Sequence, residues 1–113
     1  EKAAFYLKAL RALPIKLPSE ETLATSAWHL FMIELSTHDR KAVFDALRSR
    51  GIGVNVHYIP IHLQPYYQKL GFQKGDFPYS EAFYKYAITL PLFPTMSASQ
   101  QQHVIDTLID VLQ

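Results

Sequence analysis

The chain has 113 residues, and 49% of them are apolar, enough for one domain with a real core and too many for a disordered segment. Its formal net charge of +1, with histidines neutral, gives no electrostatic case for nucleic acid or an anionic membrane as partner. Cysteine is absent, which excludes disulfides and thiolate metal sites, and no apolar run approaches the roughly 20 residues of a membrane span.

Residues 1–13 are helix-prone, with Ala4, Leu7, Leu10 and Leu13 at helical spacing and Pro14 as the stop. Glu1-Lys2-Ala3-Ala4-Phe5 reads as the middle of a helix, not as a signal peptide. The expectation is therefore a piece of a longer, cytoplasmic protein. Residues 15–21 read as an extended connector. Residues 27–35 are almost continuously apolar and predict a first strand covered on both faces. Ser36-Thr37 offers a cap, with Asp39 in the first turn of a helix that runs to about Arg50. Its apolar face is Val43, Phe44 and Leu47, and Gly51 supplies the stop.

Residues 52–58 predict a second strand, with Val54 and Val56 facing one way and Asn55 and His57 the other. Residues 59–78 form a long loop with one helical turn near Pro65, and a loop of that length usually carries function. A short helix over 79–86, capped by Ser80, leads to a third strand over 87–94, whose prolines place its end at an edge or sheet exit. Ser97-Ala98-Ser99-Gln100 has the form of a capping box. The helix after it carries a wide apolar stripe of Val104, Ile105, Leu108, Ile109, Val111 and Leu112. The fold class that follows is α+β: a small three-stranded, mainly antiparallel sheet with helices packed on one side.

Chemistry concentrates at His57-Tyr58-Ile59-Pro60-Ile61-His62, where two imidazoles and a phenol stand at a strand exit pinned by a proline. Side chains on such a rigid platform can meet a ligand with little entropic loss. The aromatic set around the loop, Tyr58, Tyr66, Tyr67, Phe72, Phe77 and Tyr79, reads either as a satellite cluster under the loop or as a wall that lines a ligand. His57 and His62 lack the third and fourth ligands of a metal site, so none is assigned. His29 reads as a half-buried structural residue, and His38 and His103 receive no role. No serine sits in a nucleophile elbow, and no glycine-rich phosphate loop is present.

Four motifs in order resemble one family. They are Arg40-Lys41 through Leu47 into Gly51-Ile52; His57-Tyr58-x-Pro60-x-His62 with Tyr67 after it; Phe77-Pro78-x-Ser80-Glu81; and Thr89-Leu90-Pro91-Leu92-Phe93-Pro94. From Ser26 onward the chain resembles the carboxy-terminal small domain of the DegT/DnrJ/StrS-type sugar aminotransferases, fold-type I enzymes that use pyridoxal phosphate. Within them it is most similar to those that aminate a UDP-linked 4-keto-6-deoxy-N-acetylhexosamine on the way to pseudaminic acid. The resemblance divides the chain into an inter-domain helix and connector, residues 1–25, and the small domain, residues 26–113.

It also implies an amino-terminal domain elsewhere in the parent chain that carries pyridoxal phosphate on its lysine. Lys8, Lys16, Lys69, Lys74 and Lys85 stand in the wrong context for that lysine. The parent would be a homodimer that moves an amino group, from glutamate, to a nucleotide-linked keto sugar, and this chain alone would be inactive. His57 and Tyr58 would contact the substrate. His62 would brace the loop, with Tyr66, Tyr67 and Phe77 bracing it or lining the site. Arg11, Arg40, Arg48 and Arg50 all precede Gly51, so a bidentate clamp for an α-carboxylate is missing and a sugar substrate is favoured. The alternative left by the residues alone is a stand-alone α/β ligand-binding or interaction module.

Overall fold

A computed structural model describes residues 1–113. The elements follow in the order α1 (Lys2–Leu10), β1 (Ile15–Lys16), β2 (Phe31–Leu35), α2 (Arg40–Ser49), α3 (Pro65–Lys69), α4 (Pro78–Tyr86), β3 (Ala87–Leu90) and α5 (Ala98–Leu112). The strands form one antiparallel sheet in the order β1-β2-β3. Alternation along β2 turns Phe31, Ile33 and Leu35 to one face, where Phe31 pairs with Leu90 and Ile33 with Ile88. These side chains meet Tyr6, Leu7 and Leu10 of α1, Val43 and Leu47 of α2, and Val104, Ile105, Leu108 and Leu112 of α5 in one core. Three helices thus cover one face of the sheet, the α+β arrangement expected. Each such buried side chain contributes roughly 1.5–3 kcal/mol before chain entropy opposes it.

The buried stripe of α1 is Ala3, Tyr6, Leu7 and Leu10, so Ala4 turns outward. The Tyr6 hydroxyl donates to the Pro91 carbonyl at 2.8 Å, and burial pushes its phenol well above the usual range. Residues 1–25 therefore share the core of residues 26–113. Helix starts follow local side-chain chemistry. Asp39 itself is the cap of α2, accepting the Ala42 N–H at 2.8 Å in place of Ser36 or Thr37. Pro78 opens α4, so Ser80 lies inside it. The capping box of α5 is complete: Ser97 Oγ accepts the Gln100 N–H and the Gln100 carboxamide accepts the Ser97 N–H.

Strand membership differs from the sequence expectation. The connector after Pro14 supplies the edge strand, Ile15 pairing with Leu35 and Lys16 with Glu34. The first predicted strand starts only at Phe31, because Trp28 sits at φ 50°, outside extended backbone. Residues 52–58 do not form a strand; a single bridge joins Asn55 to Thr89, with N–H···O distances of 3.1 and 2.8 Å. The ladder is clipped at both ends. The same register would next pair Gly53 with Pro91, which has no N–H. At the other end it would pair His57 with Ala87, whose N–H is spent on the Phe83 carbonyl at the close of α4. The long loop is more ordered than expected, with a 3-10 turn at Ile61–Leu63 before α3.

Candidate functional site

The face of the sheet turned away from α1, α2 and α5 carries Met32 beside Thr89 and Glu34 beside Ala87. Asn55 extends the Met32–Thr89 row through its bridge. Thr89 is the polar member of an otherwise apolar strand and is almost fully buried. Two residues past the bridge, half-buried His57 turns its Nδ1 to Thr89 Oγ1 at 2.8 Å. Its Nε2 has no partner within the chain. The peptide between His57 and Tyr58 is cis. The Tyr58 ring stands edge-on to the imidazole, 4.6 Å between centroids, and is 69% exposed. Pro60 is buried and closes this exit.

The loop beyond is tied by one carboxylate. His62 is 6% exposed, and its Nε2 lies 2.8 Å from Glu81 Oε1. The same oxygen accepts the Gly75 N–H at 2.7 Å. Gly75 has φ +99°, a conformation that side chains oppose, so glycine is required there. The His62 bond first, then the Gly75 N–H, holds the Glu81 carboxyl below the ordinary carboxylate range. The His62 ring packs on Phe77 at 4.8 Å, and the aromatic series continues through Phe72 and Tyr67 to Tyr66. Ile61, His62, Tyr67, Phe72, Phe77 and Ser80 line a cleft of about 270 Å³. Tyr66 lies outside that lining and is mostly exposed.

The structure thus groups His57 with Tyr58 at the sheet exit, and His62 with Tyr67 and Phe77 in the loop cleft. Sequence reasoning missed Thr89, Gly75 and the role of Glu81 as the partner of His62. A lone hydroxyl inside Ala87-Ile88-Thr89-Leu90 was a usable signal for the first. His29 is exposed, not half-buried.

No three His, Asp or Glu side chains come together as a metal-ligand set. Nor do the lysines fit a Schiff-base role, which needs an amine whose pKa is pushed down by burial or cationic neighbours. Lys16 pairs with Glu34 at 2.9 Å, and Lys8, Lys69 and Lys74 stand on exposed surface. Lys41, held by the Asp45 carboxylate, and Lys85, held by the Tyr86 hydroxyl, are pushed up instead.

Residues 1–109 match the DegT/DnrJ/EryC1/StrS aminotransferase family. The spore coat polysaccharide biosynthesis protein SpsC of Bacillus subtilis is 33% identical over 120 residues, covering 100% of this chain and 31% of that protein. The putative sugar aminotransferase Spr1654 of Streptococcus pneumoniae, in its PLP form, superposes with a TM-score of 0.90 at 28% identity, over 97% of this chain and 29% of that one. Helicobacter pylori PseC, an aminotransferase involved in the biosynthesis of pseudoaminic acid, superposes at 0.84 with 26% identity, over 98% of this chain and 31% of that one. The chain spans about three-tenths of the length of these proteins. With its family match running almost end to end, the chain belongs to the DegT/DnrJ/EryC1/StrS aminotransferase family.

Proposed function

We propose that this chain is the carboxy-terminal small domain of a pyridoxal-phosphate sugar aminotransferase and forms one wall of its active site. The observation that carries this reading is the uncovered sheet exit. In a chain of this family, His57 keeps Nε2 free, and Tyr58 exposes most of its ring and a hydroxyl that has no hydrogen-bond partner in the chain. The Tyr58 ring can lie against a pyranose face while its hydroxyl bonds a sugar oxygen. His57 offers a second hydrogen bond from a fixed position. The braced loop, with Tyr66, Tyr67 and Phe77, would line the site beside that contact. The amino-terminal domain of the same parent chain would hold the cofactor, which supplies the electron sink for amino transfer when bound. Turnover would then need the whole chain, acting as a cytoplasmic homodimer.

The substrate follows from what the cations do. Arg11 pairs with Glu20, Arg40 covers the Tyr84 ring, Arg48 covers Phe44 and Arg50 pairs with Asp110. No arginine is left at the sheet exit for an α-carboxylate, which supports a nucleotide-linked 4-keto-6-deoxy sugar as acceptor; glutamate as donor rests on the family resemblance alone. The His57-Tyr58-x-Pro60-x-His62 run and the likeness to PseC support the finer reading, a UDP-linked N-acetylhexosamine on the way to pseudaminic acid.

The test is turnover by the full-length protein, with glutamate as donor and a panel of nucleotide-linked keto sugars. Mass spectrometry should find an amino sugar nucleotide. Amination of α-keto acids alone would refute the substrate class.

A further inference from the structure

We propose that Thr89 is a positioning residue: its hydroxyl donates to His57 Nδ1, so the neutral imidazole carries its proton on Nε2 and presents a donor to an acceptor oxygen of the ligand. The proposal rests on the reading of His57 as a substrate contact and adds the group that aims it. A hydroxyl has one proton to place. Thr89 is almost fully buried, so water does not readily take that proton. Its backbone N–H and carbonyl are both engaged with Asn55. The neighbours in its row offer little, since the Asn55 carboxamide oxygen is turned to the Val56 N–H at 2.8 Å and Met32 brings only a thioether. His57 Nδ1, at 2.8 Å, is the one side-chain partner of Oγ1.

A neutral imidazole that accepts at one nitrogen donates at the other. The remaining Nε2–H has no partner in the chain. The complementary ligand atom is therefore an oxygen lone pair: a sugar carbonyl, a ring hydroxyl or a phosphate oxygen. A cationic or donor-only group would be refused. The clipped ladder makes this arrangement possible. Because the backbone pairing stops at Asn55–Thr89, the His57 side chain is held by a hydroxyl and not by continued strand pairing.

The experiment reads the ring directly. Histidine side chains of this chain are labelled with ¹⁵N and their tautomers observed near pH 8.5, about two units above an ordinary imidazole pKa. The expected spectrum shows His57 solely as the Nε2–H form. Thr89→Val keeps the shape of the side chain and should yield a mixture of tautomers, and Thr89→Ser should restore the single form. An Nδ1–H ring in the wild type, or a Val variant with an unchanged ring spectrum, overturns the proposal. In the full-length protein, Thr89→Val should raise KM for the nucleotide sugar about tenfold and lower kcat much less. It should add nothing in a His57→Ala background. An equal cost in both backgrounds means a structural role and also overturns the proposal. Because the tautomer is read without substrate, a ring that responds to Thr89 while KM does not move refutes the substrate role of His57 and not the hydrogen bond.

Discussion

Tyr58→Phe and Val54→Ala form a pair that separates site from scaffold. The Tyr58 hydroxyl makes no hydrogen bond within the chain, and the residue is 69% exposed. Removing one oxygen there should leave stability within about 0.5 kcal/mol of wild type, as for most surface changes. Val54 is 2% exposed, in the same core as Leu47 and Ile105. Its truncation deletes two methyl groups at about 0.8 kcal/mol each and leaves a partly unfilled cavity, for a loss of about 2–3 kcal/mol. In a domain of this size that lowers Tm by about 8–20 °C. On the specificity constant the order reverses. Loss of one substrate hydrogen bond by Tyr58→Phe should cost about 1–3 kcal/mol, or roughly 5- to 150-fold. Val54→Ala, assayed well below its melting point, should remain within about threefold. The assay is steady-state kinetics on the full-length protein with the nucleotide sugar varied, alongside thermal melts of both variants. A Tyr58→Phe protein that turns over the sugar at the wild-type specificity constant refutes the placement of the site at this sheet exit.

Acid should release the loop. The folded Glu81 value is lowered, so its stabilisation is fully present above about pH 4.3 and is lost as pH falls through the lower folded value. Protection of the Gly75 amide, taken as its exchange rate relative to the intrinsic rate at the same pH, should be present at neutral pH and fall once the solution is taken well below about pH 4. Glu81→Gln should abolish that dependence, and an amide indifferent to both changes would contradict the brace. The isolated chain, mixed with pyridoxal phosphate and borohydride, should show no stoichiometric adduct by intact mass; modification of one lysine at unit stoichiometry sinks the division of labour proposed above. The exposed apolar set of Tyr58, Ile59, Ile61, Tyr66, Leu70 and Tyr79 should make the isolated chain self-associate. Light scattering that finds a strict monomer at high concentration counts against that expectation.

The helices were legible because their signals are local. The α5 capping box and the apolar stripe behind it are written within sixteen residues, and the structure reproduces both. The sheet was legible in kind and misread in membership. Two-residue β1 hides in a connector because so short an edge strand carries no alternation to detect. Residues 52–58 read as a strand because Val54 does enter the core, yet ladder pairing depends on which N–H groups the neighbouring chain has free. That depends on Pro91 and on Ala87 closing α4, thirty residues away. The site shows the same division. His57 and Tyr58 stood out as a polar pair at the end of an apolar run. Thr89 and Glu81 gain their meaning only from partners 32 and 19 positions distant, which no local pattern reveals.

The hydrogen-bond inventory of the outer face bounds what this chain can contribute to a reaction. The Thr89 hydroxyl is spent on His57, the Asn55 oxygen on Val56, and the Glu81 carboxylate on His62 and Gly75. What remains free at the sheet exit is one imidazole nitrogen and one phenol. These are directional groups suited to holding oxygen atoms in place. Amino transfer also needs a group that carries the amine and a base that moves the proton; no amine is left over here, and an imidazole with its proton on Nε2, as proposed above, presents a donor and not a base. A wall with two free polar groups, rigid because every neighbour is committed, serves orientation and selection. On the function proposed above, the chemistry would come from the domain this wall faces, and substitutions at His57 or Tyr58 should then appear in KM before they appear in kcat.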